Sequence, residues 1–200
     1  SEDRYGVEFN ANKTLFNFTN FRQIPIDVEE NSTELAGYLK YRVVLGRWVL
    51  DPSLRLQYYA TNKKTALEPR FGLKYNVSDR LRLKAAGGLY TQNLMSSVSE
   101  RDIVNLFVGF ITSPNLVEAA HAVAGFELDV NDHMDLNIET YYKDFNPLVA
   151  LNRSKKTVAE SNFTTETGDA YGLDVLLKSA WKDWNVWLGY SLGFVNRDDG

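Results

Sequence analysis

The chain has no cysteine among its 200 residues, which excludes disulfide bonds and thiolate metal sites. Histidine is nearly absent: His121 and His133 have no partner at metal-ligand spacing, so neither a metal site nor a cofactor is expected. The 22 basic residues against 26 acidic ones, with no basic cluster, argue against a nucleic-acid partner. No catalytic triad order or phosphate-binding glycine loop has convincing context, so an enzyme is not expected either.

A long apolar run is missing as well. The longest uncharged stretch, 103–117, is interrupted by Asn105, Thr112 and Pro114. It falls short of the ~18–20 apolar residues that a membrane-spanning helix needs. A hydropathy scan therefore favours a soluble protein. It does not exclude a transmembrane barrel, because strands that alternate apolar and polar residues average to a polar score.

Apolar residues instead take every second position along most of the chain. Tyr171, Leu173, Val175 and Leu177 alternate with small or charged residues, which is the period of a β-strand with one apolar face. The same pattern predicts ten strands, at 4–10, 13–20, 35–46, 53–61, 70–77, 81–90, 122–130, 136–143, 171–178 and 186–194.

The connections between these segments alternate in length. Short polar turns are predicted at 10–13, 76–80, 131–134 and 179–184, with a somewhat longer one at 46–53. The intervening connections, 21–34, 62–66, 92–120 and 144–167, are mostly long and rich in Asn, Ser, Thr and Pro. Short turns at one rim and long loops at the other are typical of bacterial outer-membrane barrels.

The polar face of the predicted strands also favours a membrane barrel. It carries many charges, where a soluble barrel or sandwich would need an apolar filling: Glu8, Lys40, Arg42, Arg55, Arg70, Lys74, Arg82, Lys84, Glu127, Asp129, Glu139, Lys143, Asp174 and Lys178. No amphipathic helix is available to cover the apolar face, so lipid is the expected neighbour. The predicted fold is an all-β, antiparallel up-and-down meander of about ten strands, part of a larger transmembrane β-barrel. A soluble β-sandwich or open barrel is the alternative.

Several strands resemble those of a known family. Leu-Glu-Pro-Arg-Phe-Gly-Leu-Lys-Tyr at 67–75 and Gly-Leu-Tyr-Thr-Gln-Asn at 88–93 are similar to a strand pair in the barrel domain of TonB-dependent outer-membrane receptors. The segments 120–127, 136–143 and 168–178 resemble strands that follow in that family, in the same order. The resemblance covers roughly residues 50–195, and its style is closest to receptors of the Bacteroidetes type.

The resemblance implies a location and a set of partners. Members of the family have an N-terminal plug domain and about twenty-two strands. Residues 1–200 are therefore expected to be a partial barrel domain, with the plug domain and the remaining strands outside them. Energised uptake of a scarce nutrient through the bacterial outer membrane is implied, the nutrient being a metal chelate, cobalamin or an oligosaccharide. The implied partners are outer-membrane lipid, the plug domain, the nutrient and, indirectly, TonB.

Ligand contacts are expected from the inner wall and from the segment 92–120. The candidates are Arg70, Tyr90, Gln92, Asn93, Phe107, Phe110 and Asn115. The apolar stretch 103–112 suggests a short helix or a fold over the barrel mouth. Basic residues of the inner face either steer an anionic ligand or pair with nearby acids and a plug. Glu68-Pro69-Arg70 is interpreted as a structural pin of the wall.

Aromatic residues gather near predicted strand ends. We interpret Tyr141, Tyr142, Phe145, Trp181, Trp184, Trp187 and Tyr190 as girdles at the membrane interfaces, with a sugar-stacking platform as the alternative. Two other functions stay open at this point. One is a passive porin-like or adhesin-like outer-membrane barrel, and the other is a soluble secreted carbohydrate-binding β domain.

Overall fold

A computed structural model describes residues 1–19, 23–96, 110–152, 155–161 and 163–198. These residues form one antiparallel sheet whose nine strands lie in sequence order. The strands are β1 (Glu2–Thr19), β2 (Pro25–Leu45), β3 (Trp48–Tyr59), β4 (Lys64–Asn76), β5 (Leu81–Ser96), β6 (Phe110–Asn131), β7 (Met134–Leu151), β8 (Phe163–Trp181) and β9 (Trp184–Asp198). The predicted up-and-down meander is confirmed. Across the described ranges, no helix has the length and apolar character needed to cross a membrane.

The strand number differs from the prediction at one place. The segments 4–10 and 13–20 are not two strands joined by a tight turn, because both belong to β1. Asn10 pairs with Glu34, and Lys13 pairs with Asn31, so the ladder continues through the expected turn. The Asn-rich residues have low strand propensity, but a long partner strand satisfies their backbone groups and overrides it.

The connections expected to be long are shortened because the strands extend into them. Strand β2 begins at Pro25, β7 runs to Leu151 and β8 begins at Phe163. The helix suggested at 103–112 lies mostly outside the described residues, and the described part, from Phe110, is strand. The 22 residues of β6 span about 70 Å at ~3.3 Å per residue, well beyond the ~25 Å apolar band of a barrel even when tilted.

The opposite end of the sheet has tight turns, and we call it the turn rim. Leu45 pairs with Trp48, and Trp181 pairs with Trp184, which leaves two-residue hairpins. Gly46 has a φ of 59°, which a residue without Cβ adopts at little cost. In a third turn, the Asn131 carboxamide oxygen accepts a hydrogen bond from the His133 N–H at 2.9 Å. The end with the 97–109 and 152–162 connections is the loop rim.

The register brings all the apolar stripes onto one face, which we call the outer face. Leu39 pairs with Leu54, Leu56 pairs with Leu67, and the match continues to Leu177 with Leu188 on the last strand pair. These side chains remain exposed: Tyr5 is 81% exposed, Leu56 52% and Leu188 64%. The stripes do not converge on one another, so the sandwich alternative is wrong.

The other face, which we call the inner face, is concave. Near the loop rim the Asn93 side-chain amide on β5 donates to the Ser32 hydroxyl on β2 at 2.8 Å, and both residues are buried. Strands β1 and β2 also approach β6. In the described part of the chain β1 pairs only with β2, and β9 only with β8, so the curled sheet is open.

Candidate ligand-facing inner wall

The inner face near the turn rim carries an ion-pair network of Lys74, Arg82, Lys84, Glu127, Asp129 and Glu139. Lys74 lies directly opposite Lys84 in the ladder, a pairing of like charges that is unfavourable by itself. The Glu127 carboxylate offsets it by accepting from Lys74 at 3.2 Å, Lys84 at 3.1 Å and Arg82 at 3.0 Å. Arg82 also pairs with Asp129, and Lys84 with Glu139. Three cations meet three anions, so the charges of this network are balanced.

The charges of β1 to β3 are also matched. Arg42 makes a two-pronged contact with Asp51, at 2.9 and 3.0 Å. Arg55 donates to Glu8 at 2.6 Å. Most basic side chains of the inner face are therefore held by neighbouring acids, which is one of the two roles expected for them.

Glu68 occupies a gap between two strands. The ladder of β4 with β5 runs from the Arg70–Gly88 pair to the Asn76–Arg82 pair. Beyond it, Pro69 has no N–H to donate. One oxygen of the Glu68 carboxylate accepts from the Thr91 N–H at 2.8 Å and from the Thr91 hydroxyl at 2.7 Å. Glu68 is only 1% exposed, so it has the geometry of a pin that joins the strands.

A row of basic groups lies across the inner face, on the loop-rim side of the network. Arg70, Gly88, His121 and Lys143 pair in turn across β4, β5, β6 and β7, and we call them the basic row. The Arg70 guanidinium leans across Gly88 and lies 4.3 Å from the centre of the Tyr90 ring. The Tyr90 and His121 rings are 4.6 Å apart.

Lys143 on β7 differs from Lys74 and Lys84, the lysines of the network. It takes part in none of the ion pairs among the described residues, and its ammonium lies 5.2 Å from the centre of the Tyr141 ring. Uncharged residues separate the basic row from the network: Gly72, Ala86, Val123 and Tyr141 occupy the next row toward the turn rim. The basic row is thus a cationic and aromatic surface that its own neighbours do not fully neutralise.

The candidate ligand residues fall into three groups. Arg70 and Tyr90 lie together on the inner face, whereas Gln92 donates to the nearby Leu94 carbonyl. Asn93 is buried and bonded to Ser32, and Asn115 accepts from Lys64 at 3.3 Å near the loop rim. Phe107 lies outside the described residues, and of Phe110 only the backbone, which pairs with Ser96, is described.

Sequence reasoning did not select His121 and Lys143 as ligand residues. Alternation assigned Lys143 to the polar face of its strand, whereas His121 lies just before the predicted strand at 122–130. Their place beside Arg70 depends on the register of three strand pairs, which no local pattern specifies.

Only part of the aromatic set lies on the outer face, as a girdle requires. Trp181 and Trp184 lie on the outer face at the turn rim, 58% and 71% exposed. Tyr141, Phe145 and Trp187 lie on the inner face, so their assignment to a girdle was wrong. Adjacent residues of a strand point to opposite faces, and Tyr141 and Tyr142 therefore cannot share one. Trp48 and Tyr75, with rings 4.3 Å apart, belong to the outer face at this rim.

An apolar outer face, a charged inner face and tight turns at one rim define the wall of a bacterial outer-membrane β-barrel. A family model described as "TonB dependent receptor-like, beta-barrel" matches residues 2–200. The chain therefore belongs to the TonB-dependent receptor β-barrel family, whose members are proteins of the bacterial outer membrane.

Solved structures have the same fold. The siderophore receptor PirA from Pseudomonas aeruginosa matches with a TM-score of 0.65 and 13% identity, over 98% of this chain and 39% of that one. The FpvAI–pyocin S2 complex matches with a TM-score of 0.64 and 16% identity, over 88% of this chain and 25% of that one. The RagAB peptide importer in its closed-closed state matches with a TM-score of 0.59 and 15% identity, over 87% of this chain and 23% of that one. The chain thus spans less than two fifths of each of these structures. No curated protein sequence matches it significantly.

Proposed function

We propose that residues 1–200 form part of the barrel wall of a transporter that takes up a scarce nutrient by an energised route through the outer membrane. The observation that carries this proposal is the register of nine strands, which turns every apolar stripe outward and the charged side chains inward. Such a wall fits hydrocarbon on one side and a hydrated or plugged lumen on the other. No covalent chemistry is proposed for it.

The rest of the transporter is part of the same proposal. A plug domain and further strands would complete the barrel, and TonB would act on the plug, so its effect on this wall is indirect. The membership of the chain in a receptor family favours this arrangement over a passive porin-like barrel. The exposed apolar stripes disfavour a soluble carbohydrate-binding domain.

The nutrient is proposed as a class. One structural neighbour is described as a siderophore receptor and another as a peptide importer. A metal chelate, cobalamin, an oligosaccharide or a peptide is compatible with a polar inner wall that carries aromatic side chains. The loop rim, where β5, β6, β7 and β8 extend beyond the apolar band, is the proposed place of ligand capture.

Growth of a deletion strain tests the proposal. The gene whose product contains this chain is deleted, and growth is measured with iron, cobalamin, peptide or glycan as the limiting nutrient. We expect a defect on one nutrient class, its rescue by the wild-type gene, and loss of that rescue when TonB is deleted. Rescue that persists without TonB would contradict energised uptake and favour a passive porin.

A further inference from the structure

The ion-pair network near the turn rim is balanced in charge, but the basic row is not. The network there contains equal numbers of cations and anions. In the basic row the acid at hand is Glu68, whose carboxylate is buried and already bonded to Thr91 and, at 2.6 Å, to Arg70. Lys143 has no such partner among the described residues. The row therefore keeps positive charge that its own surroundings do not cancel.

The basic row is also held in place. Arg70 is fixed by Glu68 on one side and by the Tyr90 ring on the other. Gly88 makes this possible, because a Cβ there would lie 2.8 Å from the Arg70 Cγ. The His121 ring contacts two aromatic rings. Its centre lies 4.6 Å from the centre of the Tyr90 ring and 6.1 Å from that of Phe145. A preorganised cationic surface loses less conformational entropy when an anion binds.

Two side-chain nitrogens in the row lack partners. The Nε of Arg70 and the Nε2 of His121 are shielded from solvent and have no hydrogen-bond partner among the described residues. Buried polar nitrogens are nearly always satisfied in folded proteins. The two nitrogens are therefore unusual for side-chain groups that are shielded from solvent.

We propose that the basic row of Arg70, His121 and Lys143 binds a carboxylate group. The Arg70 guanidinium has further N–H donors besides the one bonded to Glu68, and the Lys143 ammonium on β7 adds a charge that no acid among the described residues pairs with. The carboxylate comes either from an anionic nutrient in the lumen or from an acidic side chain of another part of the same protein. The first source rests on the proposed function, and the second does not.

A binding experiment with citrate tests the first source. The full-length protein is purified in detergent, and citrate binding is measured by calorimetry at low salt. If the carboxylate is a solute, citrate binds the wild type, and Lys143→Gln weakens it about tenfold, the ratio expected for one lost charge-assisted contact. Lys178→Gln is the matched control, because Lys178 is an inner-face lysine that lies 5.2 Å from a Trp187 ring, outside the row. The Lys178→Gln variant should bind citrate with the same affinity as the wild type.

A zero-length carbodiimide cross-linker tests the second source. It joins a lysine amine to a carboxylate in contact with it, and mass spectrometry locates the bond. If an acidic side chain from another part of the protein occupies the row, a cross-link to it forms at Lys143 and not at Lys178, whose ladder partner within the sheet is Asp135, and citrate does not bind. Either result supports the proposal and identifies the source.

The proposal is overturned if neither citrate binding nor cross-linking distinguishes Lys143 from Lys178. Both measurements use purified protein and require no transport. TonB-independent growth would therefore contradict the proposed function and leave the carboxylate site unaffected. Failure of both binding measurements would contradict the carboxylate site and leave the proposed function unaffected.

Discussion

At the residue scale, Glu68 takes the place of backbone hydrogen bonds between β4 and β5. Its carboxylate lies at the point where the regular ladder stops, and it accepts from both the N–H and the hydroxyl of Thr91. The Tyr59 hydroxyl extends the contact, 2.9 Å from the Thr91 hydroxyl. Removal of the carboxylate takes the acceptor away from the partly buried Thr91 N–H.

We predict that Glu68→Ala lowers the free energy of unfolding by about 1–3 kcal/mol, the cost of leaving buried donors unsatisfied. Urea unfolding of the purified barrel measures it. Glu8→Ala is the control, since Glu8 also pairs with an arginine but its side chain is 47% exposed. A loss for Glu8→Ala as large as that for Glu68→Ala would contradict the role of Glu68 as a pin.

Tyr141 lies flat along the inner wall over glycines of the next two strands. A Cβ on Gly172 would be 2.7 Å from the Tyr141 hydroxyl oxygen and 2.4 Å from the Leu192 carbonyl oxygen. The second contact is with backbone, which cannot move away easily. Gly172 is therefore required for close approach and not for a turn.

Gly172→Ala should destabilise the barrel by about 1–3 kcal/mol, as overpacking does in a tight site. Gly189→Ala on β9 is the matched control, because nothing lies within 4 Å of a Cβ at that position. The folded fraction of each variant is read from the mobility of heated and unheated samples on a detergent gel. Equal folded fractions would mean that neither the Leu192 carbonyl nor Tyr141 restricts Gly172.

Alternation predicted the face of each residue but not its neighbours. It placed Arg70 and Tyr90 on the polar side of their strands, and both are on the inner face. It could not show that the Asn93 side chain is hydrogen-bonded to Ser32, because that contact joins β5 to β2 through the curvature of the sheet. Contacts across several strands depend on register and curl, which the local pattern does not contain.

At the element scale, β8 has one face for lipid and one for the lumen. Leu173 is on the outer face and pairs with Leu192. Leu176, three residues further on, is on the inner face and pairs with Asn137 and Gly189. A substituted side chain at position 173 therefore faces lipid, whereas one at position 176 faces the lumen.

We predict that Leu173→Arg costs about 2–4 kcal/mol of folding free energy in a bilayer, whereas Leu176→Arg costs less than about 1 kcal/mol. A charge on the outer face must enter hydrocarbon, but one on the inner face remains among polar groups. Folding into liposomes under a urea titration gives both values. Equal costs, or a larger cost for Leu176→Arg, would show that the faces are assigned the wrong way round.

Strand ends were predicted less well than strand centres. Within the lipid band one face must be apolar, so the period of two is strong there. Beyond the band water lies on both sides, and the pattern fades in Pro25–Asn31 and in the last residues of β7, although the ladder continues. The false turn at 10–13 has the same origin.

At the scale of the whole molecule, the meander was predictable because each strand pairs with the next one along the chain. Short turns leave adjacent strands little choice of partner, so the order of strands follows from the order of segments. The family could be predicted too, since its strands recur here in order. The basic row could not, because it is assembled from four strands.

The orientation of the two faces is the central claim, and a spin-label scan of β8 tests it most directly. The chain has no cysteine of its own, so single cysteines can be placed at each position from 170 to 177. In bilayers, oxygen partitions into lipid and a nickel chelate stays in water. We predict that oxygen reaches labels at 171, 173, 175 and 177 far better than the nickel chelate does, and that labels at the even positions lack this preference. Equal accessibility along the strand, or nickel access at the odd positions, would contradict it.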